Sequence, residues 1–479
     1  MRRRALLCSV GVGVLSGCPG FGDSTETPRA TETETTEADQ ETQTDRGTVM
    51  DTDESGTKQV PTSALPEGVP AVPDGFDDVI NVVDAGADPT GEEPIDQMLG
   101  DRLGEGTLLV FPQGRYKISK LRLSDLENTG MVAASGTEPV LVPGEPASVQ
   151  GPRWIWLSEV SGFLFDGLDF DFRDPDSSGR LMITGLGDFA VRNIRVRGRY
   201  VTPSAFRFDV RHPDQSALIE NVTALGTNQP AAKTTGIYIG RLHAGEIFIR
   251  NCRLENFPDN GVYASPPGGH GGDFDGKNGV VHVEGGMYKN NNIANVRLGS
   301  TGSTARNVSV VVDTVPPHPP NSLNVRGIRL RGKSGQIVEN CSVRFSSNAG
   351  RGFGGVVLHR DNGSATIRNT DIQMDRDGVP AIAAAQPSAT VHEDQSKPAG
   401  ATFAGVRITG TAGQKTAVSI AHRDQTRFRD CSISQSGADR DGIVFRHSQN
   451  CLMSNTAISV TGTPIKAYES DVTRHSDDD

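Results

Sequence analysis

Short strand-like segments in the second half of the chain carry the side chains best suited to chemistry. Segments such as GIYIG, GVYAS, GIRLRG and GVVLH begin with Gly and continue with alternating apolar and polar residues. Successive side chains of a strand point to opposite faces, so the polar members are predicted to point outward. The outward set predicted in this way is Arg207, Asp209, Tyr238, Tyr263, Arg297, Arg329, Arg331 and His359.

These side-chain types suit an acidic sugar polymer. Tyr rings pack against the apolar faces of sugars, and the guanidinium fork of Arg matches a uronate carboxylate or a sulfate. β-Elimination needs a base at C5 and a cation beside the uronate, whereas hydrolysis needs two well-placed carboxylates. The pattern therefore predicts Arg297 or Arg329 as base, His359 as a third catalytic candidate and Arg331 as carboxylate clamp. Arg and Tyr are also common on exposed β surfaces, so a purely solubilising role stays open.

The other substrate-binding candidates are Arg207, Asp209, the two tyrosines and His270. His270 lies in PPGGHGGDFDGKNG at 266–279, a glycine-rich loop predicted to overhang the outward set. Functional residues concentrate in such loops on rigid scaffolds. Asp273 and Asp275 in the same loop offer oxygen ligands to Ca²⁺, which is the one cofactor that the pattern suggests. Asn362 begins a loop sequon and is the predicted glycosylation site.

The elements that must position these residues form an internal repeat. A strand–Asn–strand unit recurs, with Gly or Asp at the corner in some copies, at positions 167, 193, 221, 251, 285, 307, 340, 369, 405, 430 and 455. An all-strand period of roughly 20–40 residues is typical of a solenoid. Asn and Gly tolerate the left-handed backbone of a tight corner. Three strands per turn with one such corner predict an all-β, right-handed parallel β-helix of about ten coils. An antiparallel sandwich or a propeller is the alternative.

Cysteine positions support an inward-facing stack. Cys252, Cys341 and Cys431 each directly follow a corner residue. Free cysteine behaves as a small apolar side chain, so one buried column is predicted. Because C-x-x-C spacing is absent, zinc is not indicated.

The N-terminal segment is predicted to direct export. MRRRALLCSVGVGVLSGC at 1–18 has the charged start, short apolar run and small residues of a signal peptide. RRALL resembles a twin-arginine signal and LSGC resembles a prokaryotic lipobox, which makes Cys18 the predicted lipidation site. The export route, twin-arginine or general, stays open. The expected location is the cell surface, on the outer face of the membrane through Cys18.

The remaining boundaries follow from composition. Residues 19–73 are rich in Thr, Glu and Asp and are predicted to be a disordered tether, 74–470 a β-helix and 471–479 a disordered tail. Residues 19–60 hold 11 acidic and 3 basic residues, which is most of the formal net charge of −12. No basic face dominates the rest, so nucleic acid is not a predicted partner. We expect a monomer that meets a membrane only through its lipid anchor.

The start of the predicted β-helix resembles a known family. NVVDAGAD at 81–88 and GTLLVFPQGRY at 106–116 flank a short helical stripe of Ile95, Leu99 and Leu103. This arrangement resembles the N-terminal entry of the pectate-lyase-like (pectin lyase fold) superfamily, shared by polygalacturonase-like enzymes and phage tailspikes. With the repeats, the resemblance covers about residues 76–470 and implies a helix that plugs the open end of the β-helix. The paired acidic motifs of polygalacturonase-like hydrolases are missing.

Two functions remain open from the sequence. One is an exported, lipid-anchored protein that binds an acidic polysaccharide and cleaves it by β-elimination. The other is a non-catalytic adhesin or envelope module that uses the same surface only to bind. A glycoside hydrolase is a second alternative. One scaffold carries lyases, hydrolases, epimerases and binders, so fold alone does not choose between them.

Overall fold

The computed structural model describes residues 75–146, 149, 153–174, 177–198, 200, 204–226, 234–265, 279–332, 334–388 and 399–475, and the backbone at 51–52 and 58–59. One helix, α1 (Asp96–Arg102), and 38 strands occur in these residues. In chain order the first strands are β1 (Asp51–Thr52), β2 (Lys58–Gln59), β3 (Asp78–Asn81), β4 (Thr107–Phe111), β5 (Arg115–Ile118), β6 (Leu121–Ser124), β7 (Glu127–Ala133), β8 (Val140–Pro143), β9 (Ile155–Asp166), β10 (Asp169–Phe172), β11 (Leu181–Gly185), β12 (Phe189–Gly198), β13 (Ser204–Val210), β14 (Ser216–Leu225), β15 (Thr235–Ile239), β16 (Glu246–Arg250), β17 (Arg253–Glu255), β18 (Asn260–Ala264) and β19 (Val280–Glu284). The remainder are β20 (Met287–Lys289), β21 (Ala294–Leu298), β22 (Thr304–Arg306), β23 (Ser309–Val312), β24 (Val325–Leu330), β25 (Gln336–Glu339), β26 (Ser342–Phe345), β27 (Gly352–Leu358), β28 (Ala365–Arg368), β29 (Asp371–Met374), β30 (Ile382–Ala384), β31 (Thr402–Ala404), β32 (Arg407–Gly410), β33 (Thr416–Ala421), β34 (Arg427–Gln435), β35 (Asp441–Arg446), β36 (Cys451–Val460), β37 (Ile465–Tyr468) and β38 (Val472–His475).

Apart from the antiparallel pair β1–β2, the strands stack in parallel on three sides of a coil. The repeating unit is clearest in β16, β17 and β18, which pair with β19, β20 and β21 of the next coil. Parallel crossovers are right-handed as a rule, and the chain forms a right-handed parallel β-helix. The predicted fold class is confirmed, and the antiparallel alternatives are wrong.

The side formed by the last strand of each coil, called the third sheet below, carries the predicted outward residues. It consists of thirteen strands among the described residues: β6, β9, β11, β13, β15, β18, β21, β24, β27, β30, β33, β35 and β37. The predicted number of about ten coils is therefore not confirmed.

The corners have the predicted backbone. All eleven corner positions have positive φ, for example 54° at Asn193, 52° at Asn340 and 54° at Asp430. Some corner side chains bond from coil to coil: Asn221 Nδ2 donates to Asn193 Oδ1 at 3.0 Å. The corner side chains at 221 and 340 are exposed. The left-handed conformation, which Asn and Gly tolerate best, is thus the feature that all copies share.

The residue after each corner turns inward. Cys252, Cys341 and Cys431 are buried free thiols, and each donates to a backbone carbonyl nearby, as Cys252 Sγ does to Arg250 O at 3.3 Å. The predicted inward stack is confirmed.

Helix α1 covers the first coils. Ile95, Leu99 and Leu103 are buried in the same core as the strands, and Met98 packs against it. Burying one such side chain stabilises a fold by about 1.5–3 kcal/mol, so the stripe supplies the attachment of the cap.

The strands continue past residue 470, where the sequence prediction ends the β-helix. β38 pairs in parallel with β36, with Val472 aligned to Cys451. The signal peptide, Cys18 and most of the predicted tether lie outside the described residues. In the part of the chain that the structure describes, no helix has the length and apolar character to cross a membrane.

Candidate functional site

One line of side chains follows the outer side of the third sheet. The parallel register aligns Arg207, Tyr238, Tyr263, Arg297 and Arg329 on five successive coils. At a strand spacing of about 4.8 Å, the line from Arg207 to Arg329 is about 19 Å long. We call these five residues the arginine–tyrosine row. The structure places them on one face, as the alternation predicts.

The two tyrosine rings lie between two guanidinium groups. The ring centroids of Tyr238 and Tyr263 are 5.2 Å apart. Arg207 Cζ lies 5.5 Å from the Tyr238 centroid, and Arg297 Cζ lies 3.9 Å from the Tyr263 centroid. Cation–π attraction at these distances orients the rings and guanidinium groups together. Burial raises the pKa of Tyr238, so its phenol is neutral at physiological pH.

The row is less exposed than alternation predicts. Arg297 is only 6% exposed because its guanidinium lies against Tyr263 and its Nε donates to Ser265 Oγ at 2.7 Å. Asp209, predicted to bind substrate, is fully buried. It accepts hydrogen bonds from Arg207 Nε at 3.3 Å and from the backbone N–H of Leu242 at 2.9 Å. Burial raises the pKa of Asp209, and its carboxylate is not available to a ligand.

Arg329 is a buried cation without a counter-ion. Its side chain is 8% exposed, and within the described residues its Nε has no hydrogen-bond partner and its guanidinium no ion pair. Burial, followed by the charges of Arg326, Arg297 and Arg331, lowers the pKa of Arg329 to about 7. Asp361 acts in the opposite direction, but positive charge predominates around Arg329.

Arg331, the predicted carboxylate clamp, is already paired. Its Nε donates to Asp361 Oδ2 at 2.9 Å, and its terminal nitrogen bonds the same oxygen. His359 Nδ1 lies 3.2 Å from that carboxylate. The pKa of Asp361 is held far below its usual range, although burial opposes this, by hydrogen bonds from His359 and Arg331. Burial lowers the pKa of His359 to about 4, so the imidazole is neutral at pH 7.

The turn that carries His359 and Asp361 is held from below by Arg423. This side chain is fully buried, and its guanidinium donates to the carbonyl oxygens of His359 and Asn362 at 3.2 Å each and of Gly363 at 2.5 Å. It also donates to the carbonyls of Ala385 at 2.9 Å and Ala399 at 3.0 Å, on other coils. Arg423 is therefore a positioning residue beneath the site.

The prediction of a glycosylation site at Asn362 is wrong because this side chain is buried. Asn362 is fully buried, and its Nδ2 donates to Gln336 Oε1 at 2.8 Å. A buried amide engaged in this way is not accessible to a glycan-transferring enzyme.

Alternation did not identify Arg326. Arg326 lies close enough to Arg329 for its positive charge to help lower the pKa of that side chain. Arg326 Cζ lies 4.4 Å from the Phe353 ring centroid. Asp361 was also missed as a site residue, because its partner Arg331 is thirty residues away and only the stacking of coils brings the two together.

Asp209 and Asp361, two carboxylates of the described residues near the row, are too far apart for a hydrolase pair. Asp209 lies in β13 and Asp361 follows β27, five coils away, which is roughly 24 Å and exceeds either glycosidase geometry. His270, Asp273 and Asp275 lie outside the described residues, and so does the predicted Ca²⁺ site. In the described ranges, no group of three or more His, Cys, Asp or Glu residues is placed to hold a metal ion.

Comparison with known proteins finds similarity to solved structures at low sequence identity. The sequence matches no family model and no curated protein. Similar solved structures include the catalytic unit of a GH87 α-1,3-glucanase from Streptomyces thermodiastaticus, with 14% identity over 85% of this chain and 70% of that one and a TM-score of 0.41. The surface adhesin PfbA of Streptococcus pneumoniae has 13% identity over 82% and 99%, with a TM-score of 0.43. The A-module of mannuronan C-5 epimerase AlgE4 from Azotobacter vinelandii has 13% identity over 83% and 100%, with a TM-score of 0.43. At these identities the likeness concerns the fold alone.

Proposed function

We propose that the arginine–tyrosine row binds an acidic polysaccharide. The observation that carries the proposal is the Arg329 guanidinium, buried without a counter-ion among the described residues. A buried unpaired charge is costly, so a ligand carboxylate or sulfate at this position would replace the missing partner. The planar guanidinium fork suits either anion in a bidentate arrangement.

The rest of the row supports the same ligand class. Tyr238 and Tyr263 place two aromatic rings side by side, and aromatic rings pack against the apolar sides of sugars. Arg207 and Arg297 hold these rings in place and add positive charge at both ends. Arg331 is neutralised by Asp361, which leaves recognition of the anion to Arg329 with Arg297 beside it.

Calorimetric titration of the purified protein with polygalacturonate, alginate and neutral dextran tests the proposal. We expect binding of at least one uronate polymer and none of dextran. Arg329→Gln should weaken that binding at least about 30-fold, because removing one partner of a buried charged contact costs 2 kcal/mol or more. Arg344→Gln is the matched control, since Arg344 is exposed on β26, away from the third sheet. Equal binding by the wild type and Arg329→Gln would refute the assignment of this face.

A second candidate function is β-elimination at the same pocket. A pKa of about 7 leaves part of the Arg329 guanidine neutral at neutral pH, which a general base requires. In this step Arg329 takes the C5 proton, the C4–O bond breaks, a C4=C5 double bond forms, and the leaving oxygen takes a proton from water. Arg297, the other predicted base, stacks on Tyr263 and donates to Ser265, which suits it to charge neutralisation instead.

Absorbance of the conjugated product distinguishes the two candidates. A lyase produces the unsaturated product from the bound polymer, and Arg329→Gln should abolish its formation. Tight binding by the wild type without any product would favour the non-catalytic adhesin or envelope role.

We also propose export and anchoring through Cys18, supported by the LSGC motif and the signal-like run before it. Cys18→Ser should release the protein from the membrane fraction after sedimentation. If the variant remains with the membranes, the proposed anchor is wrong.

A further inference from the structure

We infer that the glycan site extends past Arg207 to a second contact formed by Arg122, Arg153 and Trp156, so that its ligand is a long acidic chain running along the third sheet. This inference rests on the proposed function and adds the direction and the length of the bound polymer. We call the three residues the N-terminal patch.

The N-terminal patch is in register with the arginine–tyrosine row. Arg122 aligns with Trp156, Trp156 with Met182, and Met182 with Arg207. Seven strand spacings separate Arg122 from Arg329, which is about 34 Å along the coil axis. A pyranose in an extended chain advances by about one strand spacing, so a polymer that contacts both ends presents about one sugar to each coil.

The N-terminal patch, like the row, places arginines against an aromatic ring. Arg153 Cζ lies 4.7 Å and Arg122 Cζ 5.7 Å from the Trp156 ring centroid. Arg122 is fixed by donation to the carbonyls of Leu121 at 2.7 Å and Trp154 at 3.2 Å. Neither arginine has an ion pair with a carboxylate within the described residues.

Trp156 also has an unused donor. Its Nε1–H is buried and has no hydrogen-bond acceptor among the described residues. An indole normally places this group on a partner when it is buried. Two uncompensated cations, one aromatic ring and one free donor are the groups that would contact a uronate and its hydroxyls.

The opposite direction along the sheet lacks these groups. After Arg329 the same register position is occupied by Val357, Ala383, Ser419 and Val444 on the next four coils. No charge or aromatic ring continues the row there. The ligand therefore extends from Arg329 toward the N-terminal coils. With one sugar at each coil, a four-unit oligomer whose anion pairs with Arg329 ends near Tyr238 and does not reach the N-terminal patch.

Chain-length dependence tests the inference. Titration with oligogalacturonates of four and twelve units should show about tenfold tighter binding of the longer chain, because a second contact on the same ligand adds affinity without a second encounter. Trp156→Ala should reduce binding of the twelve-unit chain about tenfold, to the level of the short one, and leave the four-unit chain unchanged. Trp156→Phe should retain most of the difference in affinity between the twelve-unit and four-unit chains. Arg153→Gln provides an independent variant, with a several-fold loss for the long chain only.

The control is Tyr468→Ala. Tyr468 forms the same kind of pair, with Arg446 Cζ 5.4 Å from its ring, beyond the uncharged part of the sheet. We expect no effect on either oligomer. Equal affinity of the two oligomers for the wild type, or unchanged long-chain binding in both patch variants, would overturn the extended site and leave the arginine–tyrosine row intact. Failure of the wild type to bind either oligomer would overturn the proposed function as well.

Discussion

Replacing Arg329 by Met should make the protein more stable while removing ligand binding. The side chain is 8% exposed and has no counter-ion among the described residues, and Arg297, Arg326 and Arg331 repel it. Exchanging a buried ion pair for apolar side chains of similar volume stabilises by up to about 4 kcal/mol. The unpaired Arg329 cation lacks the attraction of a counter-ion that would offset its burial. We therefore expect Arg329→Met to raise the free energy of unfolding by about 2–4 kcal/mol.

The stability that Arg329→Met adds should decrease as the pH rises above 7. The pKa of Arg329 is lowered to about 7 in the folded protein, from 12.5 in the unfolded chain. Between these values the unfolded chain holds the extra proton, so wild-type stability rises with pH above 7. The advantage of Arg329→Met is therefore full below pH 7 and shrinks above it.

Urea unfolding at pH 6 and pH 9 measures this difference, with Arg344→Met as the control for an exposed arginine, expected within about 0.5 kcal/mol of wild type. A variant less stable than wild type at pH 6 would show that the guanidinium contributes net stability. The argument from an uncompensated charge would then fail.

Four further outcomes follow from the same contacts. Binding of a uronate needs protonated Arg329, so affinity should fall above pH 7 and binding at pH 8 should take up close to one proton, measured by calorimetry in buffers of different ionisation enthalpy. Arg423→Met should cost about 3–5 kcal/mol in urea unfolding, because buried carbonyls lose a charged donor, and it should weaken binding through the turn at 359–363. Asn340→Leu should cost about 1–2 kcal/mol at its left-handed corner, whereas Asn340→Gly should be nearly neutral. Burial lowers the pKa of His243 to about 4. The neutral imidazole therefore contributes fully to the free energy of unfolding above pH 6.5, and this contribution is lost as the pH falls toward 4. His243→Gln should remove about 3 kcal/mol of this pH dependence of stability.

The coil architecture was predictable because its signal is local. An Asn or Gly corner needs only its own backbone conformation, and the inward residue follows it directly, as at Asn251 and Cys252. The number of coils was underestimated because the first coils lack this corner. Longer connections join β4 to β5 and β7 to β8, and they carry no strand–Asn–strand pattern.

The site was only partly predictable because its contacts are not local. Alternation gives the face of Arg297 and Arg329 but says nothing about what lies over them, so both were expected to be exposed. The pairing of Arg331 with Asp361 depends on stacking of coils, and the alternation of β24 does not reveal that Arg326 lies close to Arg329. The inward course of Arg423 has no signature in the sequence, where Arg on a loop is normally a surface residue.

The reach of Arg423 has a mechanical consequence, because most contacts in a stack of coils join direct neighbours. Under tension, such a stack gives way one turn at a time from an end. Arg423, in the turn after β33, bonds carbonyls in the turns that follow β27 and β30, so these three turns hold each other in place. Arg440, just before β35, likewise donates to the carbonyl of Val379 two coils away. Pulled from the C-terminal end in a single-molecule experiment, the solenoid would first lose the turn of β37. It would then resist, and the segment from about 352 to 446 would extend in one long step.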